Sequence, residues 1–180
     1  LRRHDGWALP ADAPVPAGTN PWQPALRGGG TQWLLGGQWT GGPGLSLLAE
    51  AWHDGSAPSD DDWRRWGARS AALAVMATQP ARRGAAAGNL AWQATPFDAP
   101  NLRRDSLYAR LAWQPADWTL SVDALAHPAD RGRVVSAAVQ WRGDRWRLDA
   151  SLRLYGGPDA AVLAQLPQRR SLVLAATLGF

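Results

Sequence analysis

The chain contains no cysteine and no lysine, and none of its 180 positions begins a run of 18 or more apolar residues. The missing cysteine excludes a disulfide framework and fits several compartments. The missing apolar run excludes a transmembrane helix, which needs about 20 predominantly apolar residues. The missing lysine makes every basic residue an arginine, a bias that GC-rich coding produces together with Ala, Gly, Pro and Trp. In the alternating segments these arginines are interleaved with other residues, so the net charge of +4 does not describe a nucleic-acid patch. An apolar leader is missing too, since Leu1-Arg2-Arg3-His4-Asp5 runs into no hydrophobic segment.

What the sequence does contain is period-two alternation. The mean hydropathy is only −0.31, yet 46% of residues are hydrophobic, a balance that strands with one polar face would give. Toward the C-terminus, Leu172, Leu174, Ala176, Leu178 and Phe180 share one face, and Ser171, Val173, Ala175, Thr177 and Gly179 the other. Trp146, Leu148, Ala150, Leu152 and Leu154 alternate with Arg145, Arg147, Asp149, Ser151, Arg153 and Tyr155. A helix would spread those charges around its circumference; a strand keeps them on one side. The same pattern predicts strands at Val135–Arg142, Trp118–His127, Ser106–Gln114, Leu45–Trp52 and Gln32–Thr40.

Short turns alternate with longer loops. Gly41-Gly42-Pro43-Gly44, Pro115-Ala116-Asp117 and Arg142-Gly143-Asp144-Arg145 have residue types that favour sharp reversals. The segments His53–Asn101, Pro128–Gly132 and Gly156–Gln168 are longer. Residues 1–30, with five prolines, read as a Pro/Gly-rich loop. Ser59 followed by Asp60, Asp61 and Asp62 predicts a helix N-terminus, continued by Trp63, Trp66 and Ala71–Met76. The alternative for Ala68–Thr78 and Leu90–Phe97 is a further pair of strands.

Tryptophan is abundant, with 12 residues. Alternating strand directions put Trp39, Trp113, Trp118, Trp141, Trp146 and Phe180 on the apolar face at the level of the short turns. Strand propensity alone explains tryptophan in a sheet but not its confinement to one end and one face. Indole rings favour a membrane–water interface, where an apolar body and a polar N–H are both accommodated.

On these residues the chain resembles the C-terminal part of a Gram-negative outer-membrane β-barrel over Thr31–His53 and Asn101–Phe180. Phe180, with Leu178 and Leu172 on its face, is similar to the terminal signal read by the barrel-assembly machinery. The resemblance implies an all-β, antiparallel up-and-down barrel in contact with outer-membrane lipid, formed by residues 31–180. Residues 54–101 would be a long extracellular loop region that includes a short helix. It also implies export, with any leader removed or upstream. Seven strands can be counted, whereas bacterial single-chain barrels have an even number. Upstream strands or another polypeptide would then complete the barrel.

The polar face would line the lumen with Glu50, Arg110, Asp123, His127, Arg142, Arg145, Arg147, Asp149 and Arg153. Two readings of these groups stand side by side. One is a water-filled pore with an arginine-rich wall, which favours small anionic solutes; the other is a ladder of paired charges that fills a narrow barrel, a structural or assembly subunit. A hydrolase is the weaker expectation. Ser121, Asp123 and His127 lie on one strand, too far apart for a triad, although Ser106 or Ser136 on a neighbouring strand could come closer to His127. No catalytic residue, cofactor or metal is expected. The acids at 60–62 lack the spaced ligands of a calcium loop, and His4, His53 and His127 are scattered.

Overall fold

The computed structural model describes residues 4–27 and 30–179. The chain forms two compact units, one from residues 1–32 with 54–104, the other from residues 33–53 with 105–180.

The second unit is a single antiparallel sheet. Its strands are β3 (Gln32–Gly41), β4 (Leu45–Asp54), β5 (Asp105–Trp113), β6 (Trp118–His127), β7 (Gly132–Arg142), β8 (Trp146–Gly156) and β9 (Arg170–Leu178). Spatial order follows chain order, each strand pairing with the next, so the sheet is an up-and-down meander. Among the described residues β3 and β9 form its two edges and do not pair with each other. All seven strands coincide with segments of two-residue alternation, because one register satisfies the whole alternating face at once. The β3–β4 reversal is closed by Gly44, whose φ of +77° belongs to the left-handed region that favours glycine. A Cβ there would meet the Gln114 carbonyl oxygen at 2.6 Å.

The first unit corrects two expectations. Residues 1–30 are not loop throughout: β1 (His4–Ala8) and β2 (Gln23–Arg27) pair antiparallel, with Trp7 opposite Pro24. Residues 54–101 hold two helices, α1 (Asp60–Ala77) and α2 (Arg83–Trp92), not one short helix in a loop. The alternative strand pair at 68–78 and 90–97 does not form. The start of α1 is the predicted one. Ser59 Oγ accepts from the Asp62 backbone N–H, the Asp62 carboxylate accepts from Ser59 N at 2.8 Å, and the three acids lie at the positive end of the helix dipole.

Polar contacts bind the proline-rich segment to these helices. Arg69 is buried and donates through Nη1 to the Pro14 carbonyl at 2.8 Å and through Nη2 to Asn89 Oδ1 at 2.8 Å. Burial lowers the pKa of its guanidinium. Asn89 also bonds both backbone groups of Ala17. Trp22 Nε1 donates to Gln93 Oε1 at 3.2 Å, and Gln93 Nε2 donates onward to Ser70 Oγ. Trp63, Trp66 and Phe97 pack edge to face with centroids 5.4–5.7 Å apart. Among the described residues no helix is long and apolar enough to cross a membrane.

Candidate functional site

The two faces of the meander differ in chemistry across every strand pair. On one face, cross-strand rows read Leu111, Val122, Ala137, Leu152, Leu172 and Trp113, Leu120, Val139, Ala150, Leu174. From Leu107 to Trp113 and from Trp118 to Ala126, alternate positions carry only Leu, Ala, Val or Trp. These side chains are not covered: Leu111 is 49% exposed, Val122 50% and Leu148 45%. Shallow grooves of about 430 and 460 Å³ run between them, the larger flanked by Trp118, Trp141 and Leu148.

Trp39, Trp113, Trp118, Trp141 and Trp146 gather at the end of this face beside the three short turns. Trp118 lies opposite Trp141, Trp113 opposite Leu45 and Leu120, and Trp146 opposite Leu178. Two glycines make room for the rings. A Cβ on Gly143 would meet the Trp141 indole at 2.7 Å, and one on Gly41 would strike the Trp39 indole. At the far end the face turns polar: Asp105 Oδ1 accepts from His53 Nδ1 at 2.7 Å, Trp33 stacks on His53, and Arg133 and Arg170 follow. Phe180, expected at the tryptophan level, lies outside the described residues.

The opposite face carries the expected polar residues. One row runs Leu48, Arg110, Asp123, Ser136, Arg153, Ser171. Asp123 accepts from Tyr108 Oη at 2.8 Å and lies 3.6 Å from Arg110 Nε, while Arg153 Nε donates to Ser136 Oγ at 3.3 Å. Two rows toward the turns, Asp149 accepts from Gln140 at 2.7 Å and from Arg147 Nε at 2.9 Å. Arg142 lies directly opposite Arg147, placing two like charges side by side at the turn end. Glu50 is opposite Tyr108. Arg145 is displaced from its expected strand position into the β7–β8 turn, where its carbonyl accepts from Gly179 N at 2.8 Å.

Between those charged rows lies a row of small residues, Ser46, Ala112, Ser121, Ala138 and Ser151, in which Ala112 and Ser121 are buried. At the loop end, His127 Nδ1 and Ser106 Oγ are 3.1 Å apart and both are buried, so Ser106 is the serine that approaches His127. The β8–β9 loop folds back over this region. Ala161–Ala164 are buried, Val162 N donates to Asp130 Oδ2 at 3.0 Å, and Leu163 and Ala161 lie over Gly132. Sequence reasoning missed this inward segment because no periodicity marks it.

No protein-family model, curated protein or solved structure matches this chain.

Proposed function

We propose that the seven-stranded sheet is wall of a transmembrane β-barrel in a bacterial outer membrane, whose arginine-bearing face lines a lumen for small anionic solutes. The observation that carries this reading is the inversion of the sheet. Large apolar side chains such as Leu111 and Val122 are about half exposed, while Ser106 and Ser121 on the opposite face are buried. In water, a continuous uncovered apolar surface of this kind is unfavourable and marks an interaction surface. Against lipid it needs no further partner.

Three features support the same reading. Strands of 9–11 residues match the length that a tilted strand needs to cross a bilayer. The five tryptophans at the short-turn end would sit at a headgroup interface. In the second unit the polar face carries four strand arginines, Arg110, Arg142, Arg147 and Arg153, against Glu50, Asp123 and Asp149, which favours anions. The second reading, a structural subunit of a larger barrel, is supported by the open edges at β3 and β9. A hydrolase has less support, because Ser106 and His127 are both buried. Conductance of the full chain in a planar bilayer tests the pore: anion-selective steps are expected, and inserted protein without conductance would leave only the structural reading.

A further inference from the structure

The sheet has two free edges, and their directions restrict what can close it. Successive strands of a meander alternate in direction, so β3 and β9, six steps apart, run the same way. If the sheet closed on itself, β9 would meet β3 in parallel. If several copies inserted in one membrane direction shared one ring, every join would again set a β9 beside a β3 in parallel. A parallel pair has slanted hydrogen bonds and is less stable per residue than an antiparallel one. Only an odd number of inserted strands makes both joins antiparallel, and it also makes the total even, as in bacterial barrels.

The edges themselves are suited to pairing. From Gln32 to Gly41, β3 has no charged residue and no proline; β9 has only Arg170, at its first position. Sheets that end in water blunt their edges with charges, prolines or short strands, and neither strand does so. Leu35 and Leu174 are 72% and 71% exposed, against 37–50% for Leu107, Leu111, Leu120, Val122 and Val135 in the interior. The only other described strands, β1 and β2, are five residues long and pair with each other.

We propose that β3 and β9 are each paired, in the working protein, with an antiparallel strand of a further β-sheet segment containing an odd number of membrane-length strands. That segment lies outside these 180 residues and has the same alternation of apolar and polar positions. The inference rests on the barrel reading in two respects, that the sheet closes and that the membrane gives every copy one direction.

Photo-crosslinking in the full-length protein in its own membrane tests it. Crosslinking residues are placed singly at Gln32 and Gln38 on β3 and at Ser171 and Thr177 on β9. The positive control is a Ser151→Cys, Val173→Cys pair, two residues that face each other in the β8–β9 register. The expected result is capture of sequence other than β3 or β9, with partner positions that fall as the edge positions rise, at both edges. Capture of β3 or β9 by either edge, within one copy or between two, would overturn the proposal, as would a parallel neighbour at either edge. Edge amides that exchange with deuterium as fast as the turns would overturn it too; protection within about tenfold of β6 is expected. Quenching of tryptophan by brominated lipid, measured on the same sample, separates the two readings. Captured antiparallel neighbours without quenching would remove the membrane and keep the strand partner.

Discussion

Trp118 and Trp141 face each other across the β6–β7 pair, their ring centroids 6.5 Å apart. Trp118 begins β6 and Trp141 is the penultimate residue of β7, each beside a short turn, and both point away from the row that holds Gln140 and Asp149. The pair thus joins the two features on which the functional reading depends, an uncovered apolar face and an aromatic level at one of its ends.

A charge placed on the two faces should have opposite consequences. Val122 lies in the middle of the apolar face, between Leu111 and Ala137. Val122→Arg is expected to destabilise the protein in a bilayer by about 2–4 kcal/mol, the cost of a basic residue at mid-depth on a lipid face. Ser136→Arg, one strand away on the polar face and opposite Asp123, should cost little. Urea unfolding in lipid vesicles measures both.

The strands were legible because alternation is a local property: β6 spans the predicted Trp118–His127 without a shift at either end. The side of the sheet that each polar strand residue occupies follows from the same period, except for Arg145, which lies in the β7–β8 turn. β1 and β2 were not legible, because five residues hold too little alternation and Pro24 lies inside β2. α2 carries no capping side chain and reads Arg-Gly-Ala-Ala-Ala-Gly, which announces no amphipathic face. The contacts of Arg69 with Pro14 and of Trp22 with Gln93 join residues 55 and 71 positions apart. No local pattern encodes such pairs.

Reversing the arginines should reverse selectivity. Arg142 and Arg147 oppose each other near the turns, and Arg153 lies one row beyond the row of small residues, beside Ser136. An Arg142→Glu, Arg147→Glu, Arg153→Glu variant is expected to turn an anion-preferring conductance toward cations. Reversal potentials in a salt gradient across a planar bilayer measure the change, and unchanged selectivity would detach these residues from the lumen.

In the first unit, Arg69→Met keeps the aliphatic volume but removes one of the two donors to Asn89 Oδ1 and the guanidinium donor to the carbonyls of Ala13 and Pro14. A loss of about 3 kcal/mol is expected from breaking this buried network. Limited proteolysis should then cut within residues 9–22 well before the sheet, which the same variant leaves intact.

Asp54 gives that unit an acid limit. Burial raises the pKa of its carboxyl, but hydrogen bonds from the Gln32, Ser56 and Asn101 side chains and from Ser56 N outweigh burial and hold it well below the ordinary 3.8. A lowered folded pKa contributes stability that is complete above the unfolded value and is lost as pH falls through the folded one. Stability should therefore decline below about pH 4, and Asp54→Asn should be less stable at neutral pH with a flatter acid limb. Urea midpoints between pH 2 and 7 follow both.

The contact between the apolar face and lipid is measured most directly by a spin-label scan along β6, from Trp118 to His127, for which the cysteine-free chain is already suited. In vesicles, labels at Leu120, Val122 and Ala124 should be open to oxygen and closed to a water-soluble nickel complex, while labels at Ser121 and Asp123 should not share that oxygen exposure. Equal access of the nickel complex to both sets would contradict a membrane-facing sheet.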